Sequence, residues 1–135
     1  MATYTLVIHG GADTIRKEDM TAELEAAYSQ GLKAALDAGY SLLENGGTAI
    51  EAVQAATMSL EDNILFNAGR GSVFAKDGSQ EMDASIMDGK NQMAGAVAAV
   101  RNIRNPVVLA HAIMTKSQHV MLNGKGAFEF ARLHG

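Results

Sequence analysis

Apolar residues recur along this chain with two different periods. Between Thr21 and Asn45, Leu24, Ala27, Tyr28, Gly31, Ala35 and Leu42 return at helical spacing, with Glu23, Glu25, Lys33 and Asp37 off that stripe. Gly46-Gly47 ends this predicted helix, because glycine fills the position after a helix without a Cβ penalty. Thr48-Ala49-Ile50-Glu51 then has the form of a capping box and opens a second helix, with Ile50, Val53, Thr57 and Leu60 along one face. Two helices joined by a Gly-Gly turn predict an antiparallel pair covering one side of a sheet.

The strand-like stretches have other signatures. Tyr4–His9 is rich in β-formers and reads as a strand buried on both faces, ended by Gly10-Gly11-Ala12. Ser72–Ala75 reads as a short strand, Lys76-Asp77-Gly78 as a hairpin turn, and Gln80–Met87 as the returning strand. In that strand Met82, Ala84 and Ile86 face one way and Asp83 and Ser85 the other. Met93–Val100 is a strand of small residues, whose Gly95 and alanines imply close packing on a neighbouring layer. Asn105-Pro106 starts a helix with Asn as N-cap and Pro at its first position, its inner face being Val107, Ala110, Ile113 and Met114. Val120–Leu122 reads as a short buried strand, and Ala127–Leu133 as a last helix after Gly124-Lys125-Gly126. Strands cluster in the middle with helices before and after, an α+β pattern, and residues 1–135 make one domain's worth of chain.

Between the second helix and the first strand of the predicted hairpin lies Leu60–Ser72, LEDNILFNAGRGS. An apolar run inside a loop is unusual, since loops normally lie in water. Gly69 and Gly71 allow sharp turns that point carbonyls inward. On the residues alone this is a tight, partly buried loop anchored by Leu65 and Phe66.

Composition excludes more than it selects. Net charge is −4 with 11 Lys and Arg scattered along the chain, which gives no electrostatic footprint for nucleic acid. There is no cysteine, hence no disulfide, zinc-thiolate site or thiol nucleophile, as suits a reducing cytoplasm. Met1–Thr5 lacks the positive n-region of a secretory signal, and no apolar run approaches the ~18 residues of a membrane span. No organic cofactor motif appears; Gly69-Arg70-Gly71 lacks the Lys-Ser/Thr sequel of a phosphate-binding loop. Ser72, Ser85, His9, His111, His119 and His134 are present, but no G-x-S-x-G elbow is. Asp83 and Asp88 read as strand-face and turn residues rather than a catalytic carboxylate pair. By themselves these residues describe a soluble α+β domain.

A set of motifs in fixed order adds to this. Val7-Ile8-His9-Gly10-Gly11-Ala12, Leu65-Phe66-Asn67-Ala68-Gly69, Met87-Asp88-Gly89 and Asn105-Pro106 together resemble the first subunit of the plant-type L-asparaginases, or isoaspartyl aminopeptidases. These are N-terminal-nucleophile hydrolases. The resemblance covers essentially all 135 residues. It implies an αββα four-layer sandwich completed by a partner β subunit from the same precursor, and a dimer of αβ heterodimers. It further implies that the side-chain amide of L-asparagine or of a β-aspartyl dipeptide is cleaved by a threonine at the N-terminus of that partner, freed by autoproteolysis. A threonine hydroxyl is a weak nucleophile, but its own α-amino group, with a pKa near ~8, can act as base. No threonine of this chain takes that role: Thr3, Thr5, Thr14 and Thr21 fall in the first strand and loop, and Thr48 is a helix cap.

For this chain the resemblance implies supporting roles. A structural sodium ion would be held by main-chain carbonyls of Leu60, Glu61, Asn63, Phe66, Ala68 and Arg70; with main-chain ligands, alanine at Glu61 is expected to spare the site. Asn67 would hold the surroundings of the nucleophile, and Gly10 and Gly11 would lie in a loop close to the catalytic centre. Ile113–His119 falls where some members have a potassium-dependent loop, but the match is partial and no site is assigned there. Two alternatives stay open: the related glycosylasparaginases, against which the Leu65–Gly69 and His9–Gly11 segments and the lack of cysteine speak, and a non-catalytic partner-binding domain.

Overall fold

The computed structural model describes residues 3–12 and 15–134. Thr14, expected in the loop after the first strand, and Gly135 lie outside the described residues. Among the described residues, four α-helices and three strands follow one another as α1 (Ala22–Glu44), α2 (Ala49–Glu61), β1 (Met82–Asp88), β2 (Met93–Val100), α3 (Pro106–Lys116), β3 (Met121–Asn123) and α4 (Gly124–His134). The class is mixed α and β, with helices before and after the strands as the sequence predicts.

The helix boundaries follow local chemistry. Thr21 caps α1 by accepting the Leu24 N–H at 3.1 Å. The capping box of α2 is complete: Thr48 Oγ1 accepts the Glu51 N–H at 3.3 Å, and Glu51 Oε2 accepts the Thr48 N–H at 2.7 Å. These two reciprocal bonds satisfy donors that a helix start otherwise leaves without partners. The apolar stripes differ in part from expectation. The buried line of α1 is Gly31, Ala35 and Gly39, and that of α2 is Ala52, Ala56 and Glu61, while Leu42 and Val53 are exposed. Small residues occupy the seam because the two helices pack closely: a Cβ on Gly39 would lie 2.7 Å from the Ala52 carbonyl oxygen.

The sheet has the order β1-β2-β3, with β1 and β2 antiparallel and β2 and β3 parallel. Met82 and Ile86 of β1 and Gly95, Val97 and Val100 of β2 turn inward onto α3, where Val107, Ala110 and Ile113 are at most 2% exposed. Gly95 is necessary there, since a Cβ would overlap the Ala110 carbonyl oxygen and crowd Met114. Asp83 Oδ1 accepts the Ala99 N–H at 2.7 Å, beside an irregularity in register between Met82 and Ala84. Ala99 itself takes φ 50°, which L side chains rarely adopt.

Several expected strands are corrected. Tyr4–His9 belongs to no sheet among the described residues, and Val7 is 81% exposed, so it is not buried on both faces. It lies instead along the α1–α2 pair, with Tyr4 edge-on to Tyr40 and Leu6 against the Gly39 position. Ser72–Ala75 forms only a single bridge, Phe74 to Gln80, around the Asp77-Gly78 turn. The residues of that turn bond locally, Asp77 Oδ1 accepting the Ser79 N–H at 3.0 Å, and no ladder follows. The strand expected at Val120–Leu122 is Met121–Asn123 and is not buried: Val120 and Met121 are more than half exposed. The last helix starts three residues earlier than expected, at Gly124. The sheet is covered mainly by α3, with α4 on β2; of the α1–α2 pair, α2 reaches it at β1, where Ile50 and Met58 pack against the core.

Candidate functional site

The loop after α2 is fixed at three places. Phe66, 4% exposed, is its apolar anchor, whereas Leu65 is only half-buried. The Phe66 ring stands edge-on to Tyr28 at 5.8 Å and fills space left by two glycines. A Cβ at Gly31 of α1 would lie 2.9 Å from the ring, and one at Gly10 would lie 3.0 Å from it. The His9-Gly10-Gly11 turn therefore packs directly on the loop, with His9 Nδ1 accepting the Gly11 N–H at 3.2 Å.

Next, the loop closes on its own backbone. Phe66 N–H bonds to Asn63 O at 3.3 Å, Ala68 N–H to Phe66 O at 2.8 Å, and Gly71 N–H to Ala68 O at 3.0 Å. Gly69 has φ +51°, and a Cβ there would run into the Glu61 carbonyl; a Cβ at Gly71 would overlap the Phe66 carbonyl oxygen and lie 2.9 Å from that of Ile64. Leu60, Asn63, Phe66 and Ala68 each give one carbonyl lone pair to these turns, and each carbonyl oxygen has a second. Neutral main-chain oxygens on a loop with no Cβ at the two crowded positions suit a hard cation of low charge. Of the expected carbonyl donors, Arg70 has its side chain in solvent. Among the described residues no group of three or more His, Cys, Asp and Glu side chains could hold a metal ion.

A third contact was not foreseen from the sequence. Glu61 is 3% exposed, and its Oε1 accepts the Val107 N–H at the start of α3 at 2.9 Å. The other oxygen, Oε2, is buried without a partner. Burial pushes the Glu61 carboxyl above its ordinary value, and the Val107 N–H opposes that. Neighbouring Asp62 takes Arg104 in a two-point pair at 2.9 and 3.1 Å and accepts from Asn105 Nδ2 at 3.3 Å. Hydrogen bonds from Arg104 hold the Asp62 carboxyl below its usual range. Asn105 thus makes no side-chain cap on its own helix, contrary to expectation; Glu61 caps α3 from a distance. The expectation that alanine at Glu61 spares the site concerns main-chain ligation alone; the side chain itself is a buried tie and not a surface group. The available signal was two acids at a helix C-terminus, where the dipole disfavours them, and an Asn-Pro helix start for them to reach.

Asn67 sits at the exposed rim. Its Oδ1 accepts the Val73 N–H at 3.1 Å, which ties the loop to the Ser72–Ala75 segment. Its NH2 group has no acceptor among the described residues. A cavity of about 280 Å³ opens beside it, lined by Glu61, Asn67, Gly69, Ser72, Asp83 and Pro106. Ile64, Val73 and Phe74 around this rim are 64–74% exposed.

The sequence matches the asparaginase family over residues 2–135. The chain belongs to that family. It is 48% identical over 130 residues to an isoaspartyl peptidase/L-asparaginase of Xenopus laevis, covering 96% of this chain and 40% of that protein. It is 47% identical to a plant-type L-asparaginase of Thermococcus kodakarensis, covering 96% of this chain and 41% of the relative. Against an isoaspartyl peptidase of Escherichia coli it is 43% identical over 135 residues, 100% of this chain and 42% of the other. The chain thus spans about two fifths of the length of these members of the asparaginase family. Among the described residues no helix is long and apolar enough to cross a membrane.

Proposed function

We propose that this chain is the α subunit of a hydrolase that cleaves the side-chain amide of L-asparagine and of isoaspartyl dipeptides. The observation that carries the reading is identity of 43–48% along nearly the whole chain to relatives named for those two activities. The nucleophile is a threonine outside these residues, exposed at the N-terminus of a β subunit when the precursor cuts itself. Its hydroxyl attacks the amide carbonyl while its α-amine takes the proton; that proton passes to the leaving nitrogen as the C–N bond breaks, releasing ammonia or an amino acid and leaving a covalent aspartyl-enzyme, which water hydrolyses to aspartate and free threonine.

This chain contributes positioning. Leu60, Glu61, Asn63, Phe66, Ala68 and Arg70 would hold sodium through carbonyl oxygens, and the ion would fix the turns of the loop that presents Asn67. The Asn67 NH2, without an acceptor here, is directed to the threonine region of the partner. Gly10, seated on Phe66, would bring the opening segment and Gly11 to the same place. The exposed Met87 and Met121 on the free face of the sheet support a second sheet layered against it, which makes the four-layer sandwich. Two αβ units would pair as a dimer in the cytoplasm.

Intact-mass spectrometry and N-terminal sequencing of the full-length product test this, together with assays on L-asparagine and a β-aspartyl dipeptide. Two species are expected, the second beginning with threonine, and activity on both substrates. A single uncut species with full activity would overturn the reading.

A further inference from the structure

Glu61 and Asp62 end α2 with two acids, at the pole where a helix favours cations. Both carboxylates reach the N-terminus of α3 instead, where negative charge is favoured. The bond from Val107 N–H to Glu61 Oε1 joins residues 46 positions apart, in place of a cap from neighbouring Asn105. The backbone of the same Glu61 is the floor on which Gly69 lies, with the ideal Cβ of Gly69 only 2.7 Å from the Glu61 Cβ. Glu61 also lines the cavity that Asn67, Gly69 and Ser72 share.

We propose that the Glu61 side chain is a positioning residue, a latch that locks the loop of residues 62–71, and Asn67 with it, to the first turn of α3. Its side chain spans from the loop floor to the Val107 amide. The bond to that amide anchors the Glu61 side chain, and through it holds in place the Glu61 Cβ and carbonyl on which Gly69 rests. Whatever tilts α3 then moves Asn67, so the core helix under β2 and the rim of the site form one mechanical unit. Asp62 with Arg104 adds an exposed second strut that is worth less, because its charges stay in water. The role assigned to Asn67 rests on the function proposed above; the latch itself does not.

The test uses full-length protein and amide hydrogen exchange, read at Val107 and at two amides bonded within the loop, Leu65 and Val73. Glu61→Ala is expected to raise exchange at all three by about tenfold, as loss of a buried hydrogen-bond partner implies. Glu61→Gln keeps an acceptor for Val107 and should stay within about threefold of wild type. Should Glu61→Ala not accumulate, Glu61→Asp, one methylene too short to reach, takes its place. Thr48→Ala, which opens the unrelated cap of α2, should leave Leu65 and Val73 unchanged. Maturation and kcat should fall in Glu61→Ala and recover in Glu61→Gln, with KM nearly constant. Faster exchange at Val107 alone, with Leu65 and Val73 at wild-type rates, would show a plain helix cap and overturn the latch. Absence of amidase activity in the wild type would sink the proposed function and leave the exchange result to decide the latch.

Discussion

Three glycines separate two physical demands on the loop. Gly46 has φ +82° and open space around it, so alanine there meets only the left-handed backbone penalty, about 1–2 kcal/mol. Gly71 has no positive φ, but a Cβ would overlap the Phe66 oxygen, so alanine there meets only the overpacking penalty, about 1–3 kcal/mol. Gly69 carries both, φ +51° and a clash with Glu61, and the sum is about 2–5 kcal/mol. Urea unfolding of full-length Gly46→Ala, Gly71→Ala and Gly69→Ala reads these three costs directly. The order of loss should be Gly69 greatest, with Gly46 and Gly71 adding roughly to it. The Gly69 and Gly71 variants should also mature more slowly, because both carbonyls they displace are in the loop that carries Asn67; Gly46→Ala should mature normally. A Gly69→Ala protein no less stable than Gly46→Ala, and cut at the wild-type rate, would refute the close approach to Glu61.

Asn67→Ala removes the acceptor for Val73 N–H and the free NH2, and should slow maturation or turnover by about one to two orders of magnitude, at ~1–3 kcal/mol for a hydrogen-bonding group that the proposed partner subunit would bury; a time course of precursor cleavage and the amidase rate check it. Glu51 is held below its ordinary 4.5 by the Thr48 N–H and hydroxyl, so its contribution is fully present above pH 4.5 and fades as pH falls through its lowered folded value. Thermal melts against pH should therefore show a steeper acid limb in wild type than in Glu51→Gln. Ile113 is 0% exposed between α3 and the sheet, and Ile113→Ala should cost about 2–5 kcal/mol in urea unfolding.

Local chemistry settled the helices. The Thr48–Glu51 box, the Gly46-Gly47 stop and the Pro106 start work within a few residues, so they are legible in sequence and reappear in the structure. Met93–Val100 was equally legible, because a short run of small apolar residues is a local pattern, and it reappears with those bounds. The ordered motifs placed the chain in its family, and with it pointed to the Leu60–Arg70 loop and to Asn67.

What only the tertiary structure decided depends on partners far apart in the chain. Tyr4–His9 has the composition of a strand, yet a strand exists only where another offers its backbone, and none of the described residues does. Ser72–Ala75 stops at one bridge for the same reason. Glu61 reads as a polar residue at a helix end and proves to be buried, because the amide that takes its carboxylate belongs to Val107. Gly10, Gly31 and Phe66 look unrelated along the chain, and the ring that needs both glycines is visible only when α1, the opening segment and the loop meet. Propensity and capping act over one turn of helix; burial and distant hydrogen bonds are set by which surfaces meet, and that is the information the linear pattern does not hold.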